Sequence, residues 1–148
     1  MGIFYRALAV VLACWLVCLP AVAAQSPRRS VECRVFSKLY TSLHEGVKNL
    51  DQAGLAQQVM FRLENDIGAL NLEDPQLQEI QRRYVADFHE MGLVFKNIRE
   101  GQLVGDDLVV ERMLPYFQTT NDSINANTKQ LNTYCQKVWG FKPIGVEK

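Results

Sequence analysis

The chain has 148 residues, 48% of them hydrophobic and 22% charged, with 16 Lys+Arg against 16 Asp+Glu. That length suits one domain able to bury its own core. A neutral balance without clustered Lys or Arg argues against nucleic acid, whose binding draws on neutralised phosphates, and equally against an electrostatic membrane-surface partner.

Residues 1–24 carry a single charge, Arg6, then an uncharged run from Ala7 to Leu19, then Pro20-Ala21-Val22-Ala23-Ala24. This pattern predicts a secretory signal peptide cleaved before Gln25, the small residues Val22 and Ala24 suiting the cleavage site. A retained anchor is the competing reading, since Ala7–Ala24 comes close to the roughly 20 apolar residues that span a bilayer. Removing the leader takes away Arg6 and no acid, which leaves the mature chain at a net charge of −1. The expected location is secreted, periplasmic or lumenal, with no membrane contact after cleavage. Residues 25–30, with Arg28 and Arg29, read as a flexible polar start.

From residue 31 to 140 apolar residues recur at spacings of three and four, which predicts helices and no sheet. The first helix is expected over Val31–Leu50, with Phe36, Leu39, Leu43, Val47 and Leu50 on one stripe. Gly54 is a candidate stop before a second helix, Leu55–Leu70, whose stripe is Ala56, Met60, Leu63, Ile67 and Leu70. Asp74-Pro75 reads as an N-cap followed by a residue already at helical φ. That third helix carries Leu77, Ile80, Tyr84, Phe88, Met91, Phe95 and Ile98 and is expected to close at Gly101. Asp106 and Asp107 supply acceptors and negative charge for the start of a fourth helix, Asp107–Val138. Pro115 inside it predicts a kink, or a short helix followed by a longer one. Gly140 is placed as a left-handed cap, with Phe141 folding back on the last turn, and 141–148 forms a tail.

Of four cysteines, Cys14 and Cys18 lie in the leader, so Cys33 and Cys135 remain as an even pair and predict one disulfide in an oxidising compartment. Short connections predict an all-α, up-down-up-down four-helix bundle, with a swapped helical dimer as the other architecture. The bundle places the start of the first helix and the end of the fourth together, as the disulfide requires. Three helices, or one reversed connection, would put the sulfurs about 30 Å apart.

No catalytic constellation is present: no Gly-x-Ser-x-Gly turn, no His-Glu-x-x-His, no phosphate-binding glycine loop. The acid pairs Glu73-Asp74 and Asp106-Asp107 are explained by capping. His44 and His89 fall at similar heights, but His89 lies off its helix's apolar stripe and His44 at the boundary of its own. Neither has a carboxylate three residues before it, and Met60, Met91 and Met113 sit on core stripes, so neither metal nor any other cofactor is expected.

The unusual stretch is Gln118 to Gln130, where Phe117, Ile124, Leu131 and Val138 form the inward line and most residues between are amides or hydroxyls. Thr120 and Thr128 point in on this phase, and Asn121 and Asn127 flank the seam. Polar groups there bond inside the bundle, face solvent, or line a groove, and the least-covered part is expected around Pro115–Asn121. Asn121-Asp122-Ser123 also fits the N-glycosylation pattern.

The expectation is an exported non-catalytic accessory or binding protein that meets a protein partner through a helical face. The candidate contacts are Pro115, Tyr116, Thr120, Asn121, Asn125, Trp139 and Phe141. A carrier of a small molecule or metal in the bundle interior is the alternative, a minor enzyme the third, and a homodimer is left open.

Overall fold

A computed structural model describes residues 27–47, 53–138 and 140–143, with backbone alone at 27 and 42–47. The expected leader, residues 25–26, Trp139 and the last residues of the tail lie outside the described residues, as does the side chain of His44. The described residues form four helices and no strand: α1 (Pro27–Val47), α2 (Ala53–Gly68), α3 (Pro75–Leu103) and α4 (Val109–Cys135).

α1 starts at Pro27, so residues 27–30, expected as flexible, belong to the helix. Their contacts explain this. Arg28 pairs with Glu32 and Glu73, and Arg29 lies 3.8 Å from the ring centroid of Tyr134 while donating to the Tyr134 carbonyl. Partners this distant in sequence are invisible to local periodicity.

Gly54 is not a helix stop: it lies within the first turn of α2, and the left-handed glycines among the described residues are Gly105 and Gly140. α2 ends at Gly68, slightly short of the expected Leu70, and α3 supplies the missing partners for its last turn. Gln81 Nε2 donates to the carbonyls of Ile67 (2.7 Å) and Leu70 (2.8 Å), and Gln78 Nε2 donates to that of Leu72 (2.7 Å). Orphan carbonyls at a helix end need such donors.

Asp74 caps α3 as its sequence suggests, its Oδ1 accepting from the backbone N–H of Gln76 (3.0 Å) and Leu77 (3.1 Å), with Pro75 opening the first turn. α3 continues past Gly101 to Leu103, and the stop is Gly105 at φ 75°. The N–H of Asp106 bonds the Gly101 carbonyl (2.9 Å) and that of Gly105 bonds Gln102 (3.2 Å), a Schellman ending. Gly101 serves a different end: a Cβ there would lie 2.5 Å from Val109 Cγ2, so it lets α4 begin close against α3.

α4 begins at Val109 rather than Asp107, because Asp106 holds the turn by accepting from Leu108 N–H (3.1 Å) and pairing with Arg112. It runs through Pro115 without interruption, so the division into two helices does not occur. The carbonyl deprived of a partner is that of Glu111, an exposed residue that water can serve. α4 ends at Cys135, earlier than the expected Val138. Gly140 adopts the expected left-handed φ of 75°, and Phe141 packs on the core, its N–H bonded to the Val138 carbonyl (3.1 Å).

The core comprises the predicted stripes: Phe36 from α1; Met60, Leu63 and Ile67 from α2; Leu77, Ile80, Tyr84, Phe88 and Met91 from α3; Ile124 and Leu131 from α4. Cys33 and Cys135 are both fully buried and form the expected disulfide, Cα to Cα 5.8 Å, across 102 positions of sequence. Replacing both cysteines with alanine is expected to lower the unfolding free energy by about 2–5 kcal/mol. Urea denaturation reads this directly, and an unchanged midpoint would show that the helices alone hold the two ends together.

Candidate binding cavity beside α4

The polar stretch of α4 divides into two parts, and the division follows what α3 presents to it. Towards the C-terminal end, Ser123 Oγ donates to Asp87 Oδ1 (2.8 Å), Asn127 Nδ2 donates to Asp87 Oδ2, and Arg83 donates to Gln130 Oε1 (3.1 Å). Thr128 Oγ1 gives its proton to the Ile124 carbonyl (2.8 Å) and accepts from Tyr84 (2.7 Å). The Tyr40 hydroxyl also bonds Thr128. Burial pushes both phenols above the ordinary tyrosine pKa, so they remain neutral donors. Of the three readings of this stretch, hydrogen-bonded packing inside the bundle therefore holds for Asn127 and Thr128, while Ser123 and Gln130 bond α3 at its exposed edge.

Further up the helix, α3 presents Met91 and Phe95 instead of a carboxylate, and a cavity of about 260 Å³ lies between the helices. Phe88, Met91 and Phe95 form its α3 wall, and Met60 and Leu63 its α2 wall. Phe117 and Ile124 line the α4 side and Tyr40 the α1 side. Phe95 and Phe117 meet edge to face at 6.0 Å, and Tyr84, Phe88 and Tyr40 form a second aromatic group with centroids 5.5 to 6.4 Å apart, Tyr84 and Phe88 stacked and Tyr40 tilted against both. The polar lining is two amides, Asn121 and Asn125, one turn apart and exposed. Among the described residues neither amide has a side-chain hydrogen-bond partner.

Of the residues singled out from sequence, the structure brings Asn121 and Asn125 to this cavity. Pro115 and Tyr116 are exposed outside its lining, Thr120 is half-buried beside it, and Phe141 packs on the core at the other end. Phe117, Phe95 and Met91 were legible as stripe residues, but nothing local marked them as lining space rather than filling it. Asn121, the glycosylation candidate, is exposed, although the Ser123 hydroxyl of its pattern is engaged by Asp87.

His89 is exposed as its phase predicts, with Nδ1 3.1 Å from Glu64 Oε2 and its ring 5.9 Å from that of Phe61. Among the described residues no three His, Cys, Asp or Glu side chains converge as metal ligands, and no helix is long and apolar enough to cross a membrane. A second surface feature is the α3–α4 turn, where Leu103 and Val104 are 75% and 81% exposed and Leu108 and Leu114 are about half exposed. Comparison with protein families, with curated proteins and with solved structures returns no match to this chain.

Burial lifts the Asp87 carboxyl above the ordinary aspartate value, against the lowering effect of Ser123, Asn127 and Arg83. A raised folded pKa means the folded protein holds this proton more tightly than the unfolded chain does. The group therefore favours folding at low pH, and that contribution is lost as pH rises from the unfolded value of about 3.9 through the folded one. Asp87→Asn is expected to gain stability relative to the native protein as pH rises across this window and to level off above it. Urea midpoints measured for both proteins through the acid range check this, and a relative loss with rising pH would contradict it.

Proposed function

We propose that this chain is an exported, non-catalytic binding protein whose working face is the side of α4 from Phe117 to Asn125. The observation that carries this reading is the apolar cavity with two exposed amides at its edge that have no side-chain partner among the described residues. Ligand sites are commonly concave and apolar, with a few polar groups that orient the occupant. Among the described residues the lining is aromatic and aliphatic side chains with two amides, a composition that suits binding of an apolar guest.

The proposed frame is an up-down-up-down four-helix bundle closed by the disulfide. Three contacts support it. Cys33 near the start of α1 joins Cys135 at the end of α4, Glu32 accepts from the backbone at the start of α3, and Gly105 returns α3 directly into α4. Export is supported by the leader pattern together with a buried disulfide. On this reading the full-length chain, expressed in its native host, is recovered outside the cytoplasm with Cys33 and Cys135 oxidised, whereas a chain lacking residues 1–24 is retained with both reduced. Thiol titration of the two preparations decides it, and identical oxidation and location would overturn the export reading.

An accessory role towards a protein partner is favoured by a separate observation, the exposed Leu103, Val104, Leu108, Leu114 and Tyr116 around the α3–α4 turn. Apolar side chains grouped at one surface mark interaction sites. A photoreactive side chain installed at Asn121 is expected to form a specific adduct in an extract of the native compartment, and one at Arg82 is not. Equal labelling from both positions would remove α4 as the working face.

A further inference from the structure

The cavity also restricts the chemistry of its occupant, on the assumption that this side of α4 is the working face. Among the described residues its walls hold no side chain that is charged at neutral pH, and the titratable group among them is the Tyr40 phenol. An ion placed there would be desolvated without a counter-charge, so the occupant is neutral. Three phenylalanine rings and Tyr40 surround the space, and aromatic rings meet favourably edge-to-face or offset. Met60 and Met91 add flexible, polarizable contacts that adjust to a flat guest. Water is a poor filler, because the walls beyond the amides offer it few of the two to four polar partners it needs.

Size narrows the choice further. At about 260 Å³ the cavity is larger than an apolar cavity of about 150 Å³ that admits benzene, and smaller than the roughly 300 Å³ where drug-sized sites begin. Asn121 and Asn125 lie on one face of α4, and each offers an amide oxygen and an NH₂. A guest entering ring-first would present its outer end to these amides.

We propose that the cavity binds a small neutral aromatic compound of one or two rings, seated among Phe88, Met91, Phe95 and Phe117, with a hydroxyl or carbonyl at its outer end hydrogen-bonded to Asn121 and Asn125. The test is calorimetric titration of the purified, disulfide-bonded protein with 2-naphthol, 2-methylnaphthalene and naphthalene-2-sulfonate. 2-Naphthol is expected to bind one to one, and the sulfonate about tenfold more weakly or not at all. Asn121→Ala with Asn125→Ala changes exposed positions; it is expected to weaken 2-naphthol about fivefold, the worth of one hydrogen bond, and to leave 2-methylnaphthalene unweakened. Met91→Trp, which fills the space, is expected to abolish binding of both neutral probes while the helical circular dichroism is retained.

Failure of 2-naphthol to bind, equal or tighter binding of the sulfonate, or affinities unmoved in the asparagine double variant would each overturn the proposal. Failure of the small probes together with a specific adduct from position 121 would leave the working face standing and assign the cavity to a partner's side chain. Loss of both would remove the face as well.

Discussion

The covalent link between Cys33 and Cys135 is the constraint around which the rest of the molecule is arranged. It joins residues 102 apart, and both sulfurs are fully buried. A polar cluster surrounds it and ties the same ends by other means. Glu32, 7% exposed, accepts from the backbone N–H of Glu73 and Asp74, each at 3.0 Å. Asp74 caps α3 and accepts from the Tyr134 hydroxyl (2.7 Å), while Arg29 covers the Tyr134 ring. The starts of α1 and α3 and the end of α4 are thus held by one bridge and a set of charge-assisted hydrogen bonds, each stronger than a neutral one. A buried carboxylate such as Glu32 would be costly without these donors, and the backbone amides at the start of a helix are well suited to supply them.

From this pole the packing changes along the helices. Near the disulfide, Phe36, Leu77, Ile80 and Leu131 are fully buried, and Ser37 reaches across to the Lys142 carbonyl at 2.7 Å to fasten the chain after α4. One level further, the α3–α4 seam is polar but satisfied, with Asp87 and Thr128 each receiving two hydrogen bonds. Beyond that the seam becomes mismatched, with apolar α3 facing amides of α4, and there the cavity opens. The order of these levels follows from the side chains α3 presents in turn: Tyr84, then Asp87, then Met91 and Phe95.

Much of this was readable from local pattern. The spacing of Leu77, Ile80, Tyr84, Phe88 and Met91 identifies the buried face of α3, and Asp74-Pro75 marks its start, because helix phase and capping are decided within a few residues. The disulfide followed from parity once Cys14 and Cys18 were set aside with the expected leader. What escaped was set by distant partners. Pro27 to Ser30 are helical because Arg28 and Arg29 reach Glu73 and Tyr134, and Gly101 failed as a stop because its missing Cβ is needed where Val109 approaches. Asn121 and Asn125 were recognisable as out of place, but a stripe of apolar residues reads the same whether its neighbours fill the space or leave it open. The aromatic half of the candidate site was therefore present in the helix phases without being distinguishable as a site.

The inward line of α4 explains why space remains. Between Phe117 and Leu131 its inward apolar residues, Phe117, Ile124 and Leu131, recur only every seven residues, whereas a helix that covers a core face fully brings three to four apolar residues inward over that interval. At Asn127 and Thr128 the missing apolar atoms are replaced by hydrogen bonds to α3. At Asn121 and Asn125 no such partner stands opposite among the described residues, so the two amides stay exposed and Phe95 and Phe117 remain only half-buried. A leucine in place of Asn125 would cover apolar surface at roughly 25 cal/mol for each Å², and a fold selected for stability alone gains by such a change. Retaining two amides at the rim of an apolar hollow forgoes that gain, and stability left unrealised beside a concave apolar surface is the pattern expected where the surface has another use.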